Sequence, residues 1–559
     1  MQVLDYLFIL LFVILILVVG IVFARVGGKD MKSFFAAGGA LPWPISGLSL
    51  FMGFFSAGTF VVWGSIAYSL GWVSVTIQWT MAVAGVVVGV LIATKWHKTK
   101  ILTVAEYITV RLGMPVQKMY TYLFLLVSLF TSGSFLYPVA RIVEVSTGLS
   151  LVTSIIVLGV VCIIYVSIGG LWAVVITDVL QFIVLTAAVF IVVPLSFDRV
   201  GDIQTFVNAV PDHFFDWLNG EYTLGFIIAF GIYNIIFLGG NWAYVQRYTS
   251  VGKVGDARKV GILFGLLYII SPVLWMIPPM LYRVVNPGLS GLNDEGAYLL
   301  MCKEVLPAGM LGMMLGGMIF ATASSLNSTL NISSGVFTND IYKLLYPKSS
   351  DKQLIRVARI STIVFGILAI LVALLVPLMG GIVNTVISVA AITGVPLYLP
   401  VIWTLFSRRQ TGTSVLITTL SSLAINALFK FVVPVLFDLR LTRAEEMILG
   451  VAFPVVCLMA FEVGYRWKGK ESGSPEIRSI SGSESEDTLS AASGMNEANN
   501  KYSIRILGVG VLTIGLMIAV LGMLASKGVW IVLTVGCVLM LSGFIILTKT
   551  TKKYDQKEV

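Results

Sequence analysis

Histidine, cysteine and charge are all scarce in this chain. Two histidines, His97 and His213, and four scattered cysteines, Cys162, Cys302, Cys457 and Cys537, supply neither a His-rich metal centre nor a disulfide framework. Cys162, Cys457 and Cys537 sit in apolar runs, as core thiols do. Charged residues fill only 12% of the 559 positions against 57% hydrophobic ones, which excludes a soluble globular protein of this size. There is no P-loop, kinase signature, HExxH or GxSxG, so an ATP-driven pump, a fused sensor kinase and an intramembrane protease are set aside. No enzymatic activity and no organic cofactor are expected.

What the chain has in abundance is apolar runs long enough to cross a bilayer of about 30 Å. They fall near 4–24, 42–70, 72–96, 119–147, 151–168, 171–195, 223–246, 259–282, 307–341, 355–378, 380–406, 413–438, 446–466, 504–526 and 529–548. The fold expected is an all-α polytopic membrane protein of about fifteen transmembrane helices in the cell membrane, the inner membrane if the source is bacterial. No basic n-region or small-residue cleavage site precedes the first run, so that run is expected to stay as a helix. Loops on one side carry most of the basic residues, among them Lys95, Lys98, Lys100, Arg111, Lys118, Arg247, Arg408, Arg409, Lys552 and Lys553. The net charge of +9 is therefore a topological signal, N-terminus outside and C-terminus inside, and not a nucleic-acid footprint.

Residues 103–111 read as a short amphipathic cytoplasmic helix, and the Ser/Glu-rich segment 468–503 reads as a flexible cytoplasmic linker. That linker separates a core of thirteen helices (1–467) from a peripheral hairpin (504–548) and a cytoplasmic tail (549–559).

The densest polar cluster inside an apolar run is Thr322, Ser324, Ser325, Asn327, Ser328 and Thr329. Such hydroxyls can bond back to their own helix. Packed this closely, they also suit coordination of a hard monovalent cation, which needs neutral oxygens and no cluster of carboxylates. Two other runs are interrupted by small and polar residues, at Gly53–Thr59 and around Asn234–Asn241. These are either close-packing surfaces or unwound segments that bind solute and ion, and interruptions five spans apart point to an inverted-repeat transporter. Asp178 lies ~12 Å into the sixth run, and an intramembrane carboxylate is a functional candidate unless Thr177 or Gln181 satisfies it structurally.

Several motifs in order carry a family resemblance: Gly169-Gly170-Leu171-Trp172 followed by Thr177-Asp178 and Leu180-Gln181; Val245-Gln246-Arg247; Ser324-Ser325-Leu326; and Phe337 to Lys343, with Leu102-Thr103-Val104-Ala105-Glu106-Tyr107 beside them. The chain resembles the sodium:solute symporter family over residues 1–467. The resemblance implies a LeuT-type fold with a five-plus-five inverted repeat, here about 42–195 and 223–406, flanked by extra helices. It implies a sodium site built from the carbonyls of Met52, Phe55 and Ala321 and the hydroxyls of Ser324 and Ser325. Some members hold a second sodium through residues matching Asp178, Asn327 and Ser328, although this chain has Asn where those members carry Ser. The implied solute contacts are Ser56, Thr59, Gln78, Asn234, Phe237 and Tyr268.

The function expected on this basis is sodium-coupled import of a small polar solute by alternating access, with Na⁺ as coupling ion and a neutral sugar or polyol as solute. Sugar-type members carry Glu at the Gln78 position and typically Lys at Tyr268. Sialic-acid-type members share Ser56 and Thr59 but use a helix-four Arg where Thr131 stands. A carboxylated solute such as a sialic or amino acid is the alternative, if Arg141 or a helix terminus reaches it. A transporter-like sensor is a further alternative. The partners expected are Na⁺, solute and the lipid bilayer, and the sequence leaves the oligomeric state open.

Overall fold

The computed structural model describes residues 1–27, 41–101, 103–166, 171–469 and 486–555. Leu102, Gly169 and Gly170, residues 470–485 of the expected linker, and the side chains of Trp172, Ser324, Asn327 and Ser328 lie outside the described residues.

In hydrocarbon a backbone satisfies its own polar groups best as a helix, and among the described residues the chain is helical throughout, with no β-strand. The long helices are α1 (Val3–Gly27), the broken α2 (Trp43–Met52 and Thr59–Leu70), α3 (Val73–Lys98), α4 (Met114–Thr147), α5 (Leu151–Val166) and α6 (Leu171–Val200). They continue with the bent α7 (Leu224–Gly240 and Trp242–Thr249), α8 (Val254–Val285), α9 (Met310–Val336), α10 (Asp351–Leu375), α11 (Ile382–Thr404), α12 (Gly412–Phe437) and α13 (Arg443–Trp467). A terminal pair follows, α14 (Glu486–Leu524) and α15 (Val529–Asp555).

Among the described residues, 10 helices are long and apolar enough to cross a membrane, or 11 with the bent α7 counted. Shorter apolar helices (Val3–Leu15, Trp43–Met52, Thr59–Leu70, Leu151–Ile163 and Met310–Ala323) stand where the other spans are expected. The chain is a multi-pass membrane protein.

The first segment of α2, Trp43–Met52, lies at the centre. Phe51 is fully buried and its ring meets Phe182 of α6 and Phe264, Tyr268 and Trp275 of α8, at centroid distances of 5.7, 6.2, 5.2 and 5.6 Å. Helix α8 also lies flush on α3. A Cβ at Gly85 would sit 2.6 Å from the Gly265 amide, and one at Gly261 would sit 2.5 Å from Gly89 Cα, so only glycine permits this approach. The expected helix at 103–111 is present as Val104–Leu112, its N-terminus capped by Thr103, whose Oγ1 accepts the Glu106 N–H at 3.1 Å.

Residues 486–503, read as flexible linker, belong to α14. The stretch Asp487-Thr488-Leu489-Ser490-Ala491-Ala492 contains no proline, and the run continues into an apolar helix that can propagate backwards at little cost. The hairpin itself is self-packed. Gly508, Gly515 and Gly522 recur every seven residues and face α15, where a Cβ at Gly536 would lie 2.7 Å from the Ala519 amide. It docks on α6, where Cβ atoms at Gly510 and Gly528 would meet Leu180 and Leu195 at 2.6 and 2.7 Å.

Candidate ion and solute site

The site begins with the break in α2. An unbroken helix would give the N–H groups of Ser56, Ala57 and Thr59 to the carbonyls of Met52, Gly53 and Phe55. Instead the Ser56 N–H goes to Thr59 Oγ1 at 3.3 Å, the Ala57 N–H to Thr322 Oγ1 of α9 at 3.2 Å, and the Thr59 N–H to the Ser56 carbonyl at 3.0 Å. The carbonyls of Met52 and Phe55 thereby lose their ordinary helical donors. These are the same two carbonyls the family pattern assigns to sodium.

Helix α9 passes the break with its hydroxyls. Ser325 is buried and its Oγ donates to the Ala321 carbonyl at 3.3 Å. Met52 and Ser325 line one small cavity of about 50 Å³ together with Ser49, Asp178, Asn241, Arg247 and Thr329. Thr329 donates to the Ser325 carbonyl at 3.1 Å, an ordinary helix hydroxyl. Thr322 is different, because it takes a backbone N–H from the broken helix. From the sequence it is one hydroxyl of a polar cluster, and only a three-dimensional neighbour could reveal this role.

Asp178 stands on the far wall of that cavity. Ser49 donates to its Oδ2 at 2.7 Å and in turn accepts from Arg247 Nε at 3.1 Å, with all three residues buried. Neither Ser49 nor Arg247 was singled out as a site residue. The Val245-Gln246-Arg247 motif was the one available signal, since a buried Arg requires a partner. The carboxylate is thus held within reach of α9, while Asn327 and Ser328, its expected companions, have side chains outside the described residues.

A second cavity of about 180 Å³ lies beside the first and shares Gly53, Thr131, Phe135, Phe237 and Tyr244 with it. It collects every expected solute contact: Ser56, Thr59, Gln78, Asn234, Phe237 and Tyr268. The hydroxyls of Ser56 and Thr59 also serve the break, Ser56 Oγ accepting the Gly58 N–H at 3.2 Å and Thr59 Oγ1 donating to the Phe54 carbonyl at 2.9 Å. Gln78 spends its amide N–H on the Ser74 carbonyl at 3.2 Å, and Asn234 spends its own on Thr80 Oγ1 at 2.7 Å. Their oxygens, Gln78 Oε1 and Asn234 Oδ1, are buried with no donor. Phe237 packs edge-on to Phe54 at 5.9 Å and to Tyr244 at 5.6 Å, which forms an aromatic partition between the cavities. Tyr398 of α11 was missed; its ring meets Phe237 at 5.6 Å and its hydroxyl accepts from Asn241 at 3.2 Å. Arg141, considered as a carboxylate partner, does not line this cavity. It pairs with Glu144 near the end of α4.

Against known proteins, the model of the sodium:solute symporter family matches residues 34–421. The chain belongs to that family. Sodium is its coupling ion, and transport is its activity.

Among relatives, a sodium/glucose cotransporter of Vibrio parahaemolyticus is 27% identical over 465 residues, covering 77% of this chain and 84% of that one. A sodium/sialic acid symporter, NanT, of Aliivibrio fischeri is 25% identical, covering 75% and 86%. The structure of a Na⁺-coupled sialic acid symporter in a substrate-bound outward-open state superposes with TM-score 0.70 at 21% identity, covering 83% of this chain and 98% of that chain. Mhp1, a nucleobase-cation-symport-1 family transporter, superposes at 0.52 with 14% identity, covering 78% and 95%. These two likenesses establish the LeuT-like fold of the symporter.

Proposed function

We propose that this symporter imports a neutral polyhydroxylated solute, a sugar or polyol, together with Na⁺. The observation that carries the reading is a cavity walled by the amide residues Gln78 and Asn234 and the hydroxyl residues Ser56 and Thr59, with no charged residue among its lining and with Gln78 Oε1 and Asn234 Oδ1 buried without a donor. Buried acceptors without partners cost about 1–3 kcal/mol each, and solute hydroxyls would remove that cost. The aromatic rings of Phe237, Tyr244 and Tyr268 offer flat faces for the apolar side of a sugar ring.

In this reading Na⁺ sits between the Met52, Phe55 and Ala321 carbonyls and the Ser324 and Ser325 hydroxyls, holding the α2 break open to solute. Asp178, Asn327 and Ser328 form a second sodium site. The core, residues 1–467, has two five-helix repeats at about 42–195 and 223–406, within a fifteen-span chain with its N-terminus outside and C-terminus inside. Inward Na⁺ movement yields about 2.3 kcal/mol per charge per 100 mV, and each ligand raises the other's affinity by linkage.

A carboxylated solute is the second reading, favoured by Arg247 in the adjoining cavity and by the sialic acid symporters among the relatives. A thermal-shift screen of sugars, polyols, sialic acids and amino acids, with NaCl or choline chloride, separates the two. Neutral polyols should stabilise the protein only in Na⁺, and hits should then accumulate in proteoliposomes under an inward Na⁺ gradient. Stabilisation by carboxylated solutes alone would overturn the neutral reading.

A further inference from the structure

Away from both cavities, a turn between α8 and α9 carries a buried carboxylate that none of the ion or solute chemistry uses. Glu295 is the penultimate residue of the turn Gly291–Gly296 and is only 4% exposed. Its Oε1 accepts the backbone N–H of Ile382, the first residue of α11, at 3.0 Å, and its Oε2 accepts the Tyr137 hydroxyl of α4 at 3.0 Å. Gly380 and Gly381 precede Ile382 with φ of 86° and 89°, a conformation that aims the first amide of α11 at the turn. The neighbouring Asp294 accepts the Ser65 hydroxyl of the outer half of α2 at 3.0 Å. One short turn therefore ties α2, α4 and α11 together.

A helix cap needs a single acceptor. Here the second oxygen reaches a helix remote in sequence, and the carboxylate is removed from water to do so. A buried carboxylate is tolerable only while its donors are all in place, which makes the contact an all-or-none arrangement. Its partners also carry one wall of the solute cavity, through Val62 and Trp63 of α2 and Val386 and Val389 of α11. Alternating access moves one set of helices against another around a fixed site, so a joint among α2, α4 and α11 must part whenever that side opens.

We propose that Glu295 is the latch of the outer gate, a positioning residue that holds α11 and the outer half of α2 against α4 and releases when the cavity opens outward. The assignment of this side as outer rests on the N-outside orientation proposed above.

The test uses the full-length protein in right-side-out vesicles. In a Val386→Cys background, an impermeant thiol reagent added outside reports access to the cavity. Glu295→Ala should speed labelling roughly tenfold, the loss expected for charge-assisted hydrogen bonds. Tyr137→Phe, which leaves the Ile382 bond intact, should give a smaller increase. Glu295→Gln should label no faster than the parent, because its oxygen can still accept from Ile382 and its amide can donate to Tyr137. Hydrogen exchange should quicken at residues 382–385 and 64–70 in Glu295→Ala while α12 and α13 are unaffected. Unchanged labelling in both Glu295→Ala and Tyr137→Phe overturns the latch, as does exchange that quickens at residue 382 alone. Labelling of Asp212→Cys by the same reagent reports orientation separately, so a failure of the topology is distinguishable from a failure of the latch.

Discussion

The two broken helices meet the same problem in opposite ways. In α7 the interruption is repaired by side chains. The Asn241 Oδ1 accepts the Ala243 N–H at 3.0 Å, the Trp96 indole donates to the Gly239 carbonyl at 2.7 Å, and the Tyr248 hydroxyl donates to the Leu238 carbonyl at 3.3 Å. The result is a 59° bend with its loose carbonyls covered. In α2 the freed N–H groups are satisfied by Thr59 and Thr322, but the carbonyls of Met52 and Phe55 receive no such substitute. A covered break is a stable bend. One that leaves carbonyl oxygens uncovered beside Ser325 is the kind of break the proposed Na⁺ site needs, because a hard monovalent cation asks for neutral oxygens and little else. The difference between bending and binding lies in which half of the peptide groups is repaired.

The largest test removes the serines that complete the α2 side. Ser324→Ala combined with Ser325→Ala should abolish the thermal stabilisation given by NaCl over choline chloride, weakening Na⁺ at least about a hundredfold for two lost ligand hydroxyls. Expression and the melting point in choline should hold. A Na⁺ response that survives the double substitution removes the site from this break.

A finer test sets the two repairs against each other. Thr322→Val leaves the Ala57 N–H buried without an acceptor, at a cost of about 1–3 kcal/mol, and should weaken Na⁺ about tenfold because the break can no longer keep its shape. Asn241→Ala removes a cap worth about 1 kcal/mol. It should lower the melting point by a few degrees and leave the Na⁺ midpoint in place. If Asn241→Ala weakens Na⁺ as much as Thr322→Val does, the distinction between the breaks is false.

Much of this was legible before any coordinates. Composition marked a membrane protein, and helix-breaking residues at 53–59 and 234–241 located both interruptions, because glycine and polar groups in hydrocarbon have few other reasons to recur. The residues expected to meet solute line one cavity, for the family pattern encodes which faces turn inward. What could not be read were partnerships across long sequence separations. Thr322 looked like any helix hydroxyl until Ala57 approached it, 265 positions away. Arg247 looked like one more cytoplasmic charge, although it is buried against Ser49. Residues 486–503 have the composition of a linker, and such a segment can still be helical when a long helix runs on from it.

The smallest expected effect concerns the gate over these breaks, and its sign follows from burial. Burial raises the pKa of Glu295 above its ordinary value, and the nearby Asp294 adds to the rise, while the Ile382 N–H, the Tyr137 hydroxyl and the Arg141 charge oppose it. Asp294 is itself raised by burial. With the gate open, both carboxylates meet water and return towards ordinary values, so the latched state binds protons more tightly than the open one. A group raised in one state favours that state below its ordinary value, and the preference is lost as pH climbs through the raised value. The latch should therefore be firmest in acid and loosen as pH rises from the ordinary carboxylate range. External labelling of Val386→Cys, taken at each pH as a ratio to Glu295→Gln in the same background, cancels the reagent's own pH dependence. That ratio should climb with pH across this window, since Glu295→Gln retains only the part that Asp294 supplies. A ratio that stays flat would mean the gate does not sense the ionisation of Glu295, and the contact among α2, α4 and α11 would then be held by packing alone.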